Sequence, residues 1–218
     1  MGLRDINLRE EYRSDRNDIT KEFFYPCLSN CIEYNRCVDF LSTHTLTSIC
    51  SKFDNFASGK ARLRIVTGHK FRTADLNMLE KAFLERRNLG LDDMLHKNDT
   101  AHKFQEIVNK VRIDIKIAIP NSEQVAGSFS ERNGIFVDED GQKVAFTGTS
   151  RESISTQATD FESVDVFTSW NNKSRVDTKM KDFEDLWANK TKYVEVYDFV
   201  HAHEKHLLKF VADWIFEN

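Results

Sequence analysis

Between Val111 and Ile119 every odd position is β-branched, and the even positions are Arg112, Asp114, Lys116 and Ala118. A period of two gives one face to a core and the other to polar surroundings. Pro120 closes the run, because its ring removes a ladder donor. Arg62-Leu63-Arg64-Ile65-Val66-Thr67 repeats the alternation and ends at Gly68. A chain with these strands must build a sheet and cover at least one of its faces.

The cover is legible as helical periodicity between the strands. Apolar residues recur at three- and four-residue spacing from Asp18 to Tyr34 (Ile19, Phe23, Phe24, Cys27, Cys31), with Pro26 marking a bend, and again from Thr45 to Phe56. Further helices are expected from Ala74 to Arg87 behind a Thr73 cap, from Thr100 to Lys110, from Val176 to Ala188, and from Ala202 to Phe216. Cys37 to Leu41, Phe161 to Trp170 and Tyr193 to Tyr197 read as strands. Gly134–Val137 and Lys143–Thr147 flank Asp138-Glu139-Asp140-Gly141 and read as a hairpin. The expected fold class is α/β, a mixed β-sheet flanked by helices on both faces. Residues 1–17, dense in charge, are expected to be an exposed arm, 18–199 the domain, and 200–218 a C-terminal helix.

Composition narrows the class without naming a partner. At 218 residues the chain suits one domain, and 40% apolar with 30% charged residues is a globular balance. Only 2 prolines and 17 phenylalanines argue against a linker or a disordered tail. The net charge of -4 announces no nucleic-acid binder, although a local basic patch can hide in a near-neutral total. No apolar run reaches the length of a membrane span, and Met1 to Ile6 offers neither an apolar stretch nor a cleavage site, so a cytoplasmic protein with no membrane partner is expected.

The cysteines Cys27, Cys31, Cys37 and Cys50 form no CxxC pair and read as reduced, buried thiols rather than a zinc site. His203 and His206 share a helix face while His201 points elsewhere, which suits a polar surface better than a metal site. No metal and no cofactor are expected. Lone His44 and His69 fall near strand ends. The basic run Lys60, Arg62, Arg64, Lys70 and Arg72 reads as a solvated strand face with too few aromatics for base stacking.

Phe129 to Trp170, FSERNGIFVDEDGQKVAFTGTSRESISTQATDFESVDVFTSW, resembles the phospholipase D-like (HKD) superfamily, most of all the PLD-like N-terminal domain of DEAD/DEAH-type defence and restriction helicases. Tyr12 to Arg16 with Phe24 to Leu28 resembles that family's opening. Phe183 to Trp187 with Glu195 to Phe199 resembles its close, so the likeness runs from about Gly2 to Phe199. It implies a PLD-like fold, a phosphodiester ligand, and a motif paired across a dimer axis. In that chemistry a His attacks phosphorus, while a Lys and an Asn of a Gly-Ser-x-Asn element neutralise the oxygens.

This chain departs from the pattern where the chemistry is done. Ser130-Glu131-Arg132 stands in place of His-x-Lys, and Gly148-Thr149-Ser150-Arg151 in place of Gly-Ser-x-Asn. Glu162 matches a family carboxylate, and Asp138 lies one residue beyond the motif's aspartate. A serine hydroxyl is hardly ionised and needs an adjacent base, so Ser130 is a poor substitute nucleophile. Arg132 keeps the cation, and Arg151 adds one. The implied site thus has Ser130 and Glu162 at the catalytic positions and Arg132, Thr149, Ser150 and Arg151 around phosphate. That set favours holding a nucleic-acid backbone, with DNA first, over hydrolysing it. The expected partners are nucleic acid and a second copy or a helicase; the alternatives are an active diverged nuclease and a non-catalytic dimerisation scaffold. No GxxxxGK[ST] element occurs in the chain.

Overall fold

The computed structural model describes residues 1–84, 104, 106–108, 111–125, 127–148 and 161–211. Three parallel strands form the centre: β2 (Glu33–Val38), β3 (Arg62–Gly68) and β5 (Arg112–Pro120). On the β2 side the sheet continues antiparallel through β6 (Asn133–Val137), β7 (Lys143–Gly148), β8 (Ser163–Thr168) and the short β1 (Glu11–Arg13). On the other side β9 (Val194–Asp198) pairs antiparallel with β5, which gives the order β1-β8-β7-β6-β2-β3-β5-β9. The fold is thus a large mixed sheet with helices packed on it, as the periodicities require. A separate pair joins β4 (Lys70–Arg72) in parallel to β10 (Lys209–Val211).

The alternation within each strand assigns side chains to two faces. Tyr34, Leu63, Ile65, Ile113, Ile115, Ile117, Phe136 and Phe146 meet one core. It is covered by α1 (Tyr25–Asn30), α2 (Thr43–Lys52), α3 (Asp54–Ala57) and α4 (Thr73–Leu84). Cys37, Val66, Ile135, Ala145 and Phe167 meet the other, under Val176, Phe183 and Leu186 of α5 (Lys173–Trp187). A final short helix, α6 (Phe199–Glu204), follows β9 and sends Phe199 into the first core.

Aromatic packing dominates the first face. Phe136 stacks on Tyr34 at 4.3 Å and on Phe146 at 5.7 Å, while Phe23 and Phe24 meet Phe146 edge-on, both at 5.4 Å. Gly134 makes this possible: a Cβ there would lie 2.4 Å from the Phe146 ring. On the second face Arg64 runs beneath α5. Its guanidinium bonds Glu33 at 3.0 Å, Glu184 at 2.5 Å and Asn35 Oδ1 at 2.7 Å, and lies over the rings of Phe183 and Trp187. Burial opposes its charge, but the two carboxylates more than offset this and hold its pKa above the usual value.

Several elements differ from expectation. Residues 1–17 are no free arm: Leu3 and Tyr12 are buried, and β1 pairs with β8. The helix expected from Asp18 breaks into a wide turn over Thr20–Phe24 and the short α1, just where Pro26 has no N–H to continue the ladder. Cys37 lies near the end of a strand that already starts at Glu33. The helix expected over 202–216 stops at Glu204. His206, at φ 55°, turns the chain left-handed into β10, and residues from 212 onward lie outside the described set. Arg64 is buried, so the basic run of β3 is not a solvated face.

All four cysteines are free and buried. Burial raises every thiol, that of Cys50 to about 12. No group of His, Cys, Asp or Glu able to hold a metal occurs among the described residues, and none of their helices is long and apolar enough to cross a membrane. Replacing Gly134→Ala is expected to cost about 1–3 kcal/mol, because Phe146 must leave its slot. Urea unfolding followed by fluorescence measures it, and the midpoint should fall with the m-value unchanged.

Candidate functional site

The antiparallel pairing of β6 with β2 brings the start of β6 to the carboxyl end of the parallel strands. Asn133 sits opposite Cys37 on one side and Thr147 on the other, and Gly148 sits opposite Val164. Glu162, Gly148, Arg132 and Asp39 therefore fall at one end of four neighbouring strands, β8, β7, β6 and β2, with Gly68 of β3 beside them. With strands about 4.8 Å apart, Arg132 and Glu162 are roughly 10 Å from each other along this edge.

The chain is tight here. A Cβ on Gly148 would lie 2.1 Å from the Ser163 carbonyl oxygen, and one on Gly68 would lie 2.8 Å from the Asp39 carbonyl oxygen. Only glycine lets the backbones approach this closely at Gly68 and Gly148.

Of the expected site residues, Ser130, Arg132 and Glu162 lie among the described ones. Ser130 is exposed in the segment before β6, and no described base accepts a hydrogen bond from it. Arg132 donates from Nη2 to Asp39 Oδ2, with its side chain 27% exposed against 10% for Asp39. Asp39 also accepts the Phe40 N–H at 3.0 Å. The cation is thus anchored at the edge, and an incoming phosphate would share it with a carboxylate. Glu162 is 8% exposed, and its backbone is fixed by Ser14, whose Oγ accepts its N–H at 2.8 Å and donates to its carbonyl at 3.2 Å. Thr149, Ser150 and Arg151 lie outside the described residues, directly after Gly148.

Asp138 is buried away from this edge and organises the hairpin. Its Oδ1 accepts the N–H groups of Asp140 at 3.1 Å and Gln142 at 2.8 Å, and its Oδ2 accepts that of Leu3 at 2.8 Å. His203 pairs with Glu80 at 3.1 Å and His201 stacks on Tyr197, so these histidines serve the packing of α6. His44 is exposed, and His69 is 7% exposed with its Nδ1 unbonded among the described residues.

Three contributors escape a reading of the sequence. Asp39 becomes Arg132's partner only through strand pairing. Lys70 Nζ donates to Ser128 Oγ at 2.6 Å and ties the segment before Ser130 to β4. Arg36, 2% exposed, donates from Nη1 to the carbonyl oxygens of Asn133 at 2.7 Å and Cys37 at 2.9 Å and lies over the Phe146 ring. Starting β2 at Glu33 rather than Cys37 would have exposed Arg36 as a charge at an inward position.

No protein-family model matches the chain, and no curated protein matches it. Among solved structures, NucT from Helicobacter pylori is 8% identical, with 86% of this chain and 97% of that one covered and a TM-score of 0.46. TrmBL2, an archaeal chromatin protein whose structure shows a novel mode of DNA binding, is 12% identical over 85% of this chain and 54% of its own, with a TM-score of 0.43. A mutant of yeast tyrosyl-DNA phosphodiesterase 1 is 10% identical over 76% of this chain and 35% of its own, with a TM-score of 0.38. This chain therefore spans about half of the second and about a third of the third.

Burial, then Lys209 and Lys70, push the His69 imidazole below its ordinary value of 6.5. The unfolded chain then binds a proton more readily than the folded one, so this contribution to stability is complete above 6.5 and is lost as pH falls below it. In denaturant titrations between pH 7.5 and 5, His69→Gln should flatten the acid-side loss of stability.

Proposed function

We propose that this chain is a phospholipase D-like domain that holds a nucleic-acid phosphodiester backbone without efficient hydrolysis. The observation that carries the reading is the gathering of Ser130, Arg132, Gly148 and Glu162 along one end of adjacent strands. These are the positions that the sequence resemblance sets against the family's motif, with Ser130 and Arg132 in place of its His and Lys. Scatter of those residues over the sheet would have left the resemblance without a site.

The chemistry then favours binding. At the nucleophile's position stands an exposed hydroxyl with no hydrogen bond to a described base, and loss of the imidazole nucleophile costs several orders of magnitude in rate. The neighbouring cation is retained as a guanidinium, whose planar fork suits phosphate. Glu162 would border the ligand and, by repulsion, keep the phosphate toward Arg132. Thr149, Ser150 and Arg151, which follow Gly148 directly, would complete the cradle. DNA is the first expectation, and the sequence resemblance supports reading the domain as an accessory module of a helicase, restriction or phage-defence system, paired with a second copy or with the helicase.

Binding of a fluorescent single-stranded oligonucleotide is expected to be insensitive to sequence and to weaken linearly in log–log form as salt rises. Arg132→Glu should lower affinity at least about tenfold, while Ser130→Ala should leave it unchanged. Unchanged affinity in Arg132→Glu would overturn the proposed binding edge. Metal-independent cleavage of the oligonucleotide, abolished by Ser130→Ala, would instead establish a diverged nuclease.

A further inference from the structure

Three large aromatic side chains are exposed among the described residues: Phe161 and Phe210, both at 61%, and Tyr193 at 43%. They come from distant segments, and the topology brings all three to the end of the sheet that carries Arg132. Phe161 precedes Glu162 at the start of β8, beside the end of β7 at Gly148. Phe210 lies in β10 opposite Phe71 of β4, and the neighbouring Lys209 N–H donates at 2.8 Å to the carbonyl oxygen of His69, directly after β3 ends. Tyr193 precedes β9, where Val194 sits opposite Pro120 at the end of β5, and its carbonyl oxygen accepts the Asn121 N–H at 2.9 Å. The opposite end, before β2, exposes Ile32 but no such ring among the described residues.

Each ring stands beside a cation. The Arg13 guanidinium lies 4.6 Å from the Phe161 centroid, Lys192 Nζ lies 5.4 Å from that of Tyr193, and exposed Lys209 adjoins Phe210 in the chain. Arg13 also pairs with Asp15 at 2.7 Å, so it steadies the Phe161 ring more than it adds net charge. Tyr193 adopts φ 68°, a left-handed conformation that bulky residues seldom take, and its ring joins neither core. The strands β7, β6 and β2 separate Phe161 from the other two rings, so they do not form the contiguous apolar patch that a protein partner buries. Separate planar faces beside cations suit nucleobases, each of which presents a π face.

We propose that a single-stranded nucleic acid runs along this end of the sheet, with bases stacked on Phe161, Phe210 and Tyr193 to either side of a phosphate at Arg132. This rests on the reading of Arg132 as a phosphate anchor and adds the kind of strand it holds. In a duplex the base faces are already stacked on one another, so only a single strand offers them to the rings. The strand order β8-β7-β6-β2-β3-β5-β9 spans roughly 30 Å from Phe161 to Tyr193, a length suited to site sizes of about 4–16 nucleotides. The aromatics missing from the basic run around β3 are thus supplied by three other segments.

Fluorescence anisotropy of the full chain with a labelled thymidine oligonucleotide of about 12 nucleotides, alone and annealed to its complement, tests the proposal. The single strand is expected to bind at least about tenfold more tightly than the duplex. Phe161→Ala, Phe210→Ala and Tyr193→Ala, all at exposed positions and checked for folding by circular dichroism, should each weaken the single strand at least about fivefold. Their salt dependence should match the parent's, because stacking releases no counterions, whereas Arg132→Glu should flatten it. Phe161→Trp should keep the parent's affinity. Parent affinity in two or more of the alanine variants, beside a weakened Arg132→Glu, would overturn the stacking track and leave the phosphate edge standing. Parent affinity in Arg132→Glu would remove the edge itself, and this proposal with it. Duplex binding as tight as single-strand binding would also overturn the track. So would alanine variants that dissociate a dimer while keeping the parent's oligonucleotide affinity, which would mark this end as an interface between copies.

Discussion

Antiparallel pairing of β6 on β2 is the constraint from which the rest of the molecule follows. The parallel strands β2, β3 and β5 all send their carboxyl ends to one side. A strand added in the opposite sense delivers its first residues there, so Asn133 meets Cys37 although the two are far apart in sequence. The β6–β7 and β7–β8 pairings then propagate the alignment, and Gly148 and Glu162 arrive at the same end. A slip of one residue would turn Phe136 and Phe146 out of the aromatic core and Gly134 away from the ring that needs its space. The core thus enforces the register, and the register assembles the edge.

Strict alternation was the most readable part of the sequence. Arg112–Pro120, Arg62–Gly68 and the hairpin around Gly141 are strands and turn as their patterns require; the even positions of Arg112–Pro120 are mostly less buried than the odd ones, and Arg62–Gly68 alternates although buried on both faces because Arg64 is paired beneath α5. The start of β2 was hidden: Tyr34, Asn35, Arg36 and Cys37 are all buried, and a strand covered on both faces loses its polar alternation. The last segment misled for another reason. Its helical spacing is real over Phe199–Glu204, but the left-handed turn at His206 and pairing with β4 are tertiary effects that local pattern does not carry.

The site was half legible. The resemblance singled out Ser130, Arg132 and Glu162, which lie along one end of the sheet, while the residues they contact lie in other parts of the chain. Asp39 and Ser14 are unremarkable by type, and only the pairing of β2 with β6 and the approach of residue 14 to Glu162 give them roles. The basic residues divide in the same way. Arg64 is consumed by Glu33 and Glu184 under α5, whereas Arg36 points to the opposite face and joins the wall of a cavity. Identical side chains two residues from a common alternation pattern serve opposite purposes because the sheet has two covers.

The four cysteines are divided between those covers as well. Cys27, Cys31 and Cys50 lie in the core beneath α1 and α2, and Cys37 lies in the core beneath α5. Buried, protonated thiols do not react with alkylating reagents, so each becomes reactive only when its own layer lifts from the sheet. The molecule therefore carries a built-in pair of chemical clocks. The labelling rate of Cys37 times the opening of one layer, and the rates of the other three time the opening of its opposite.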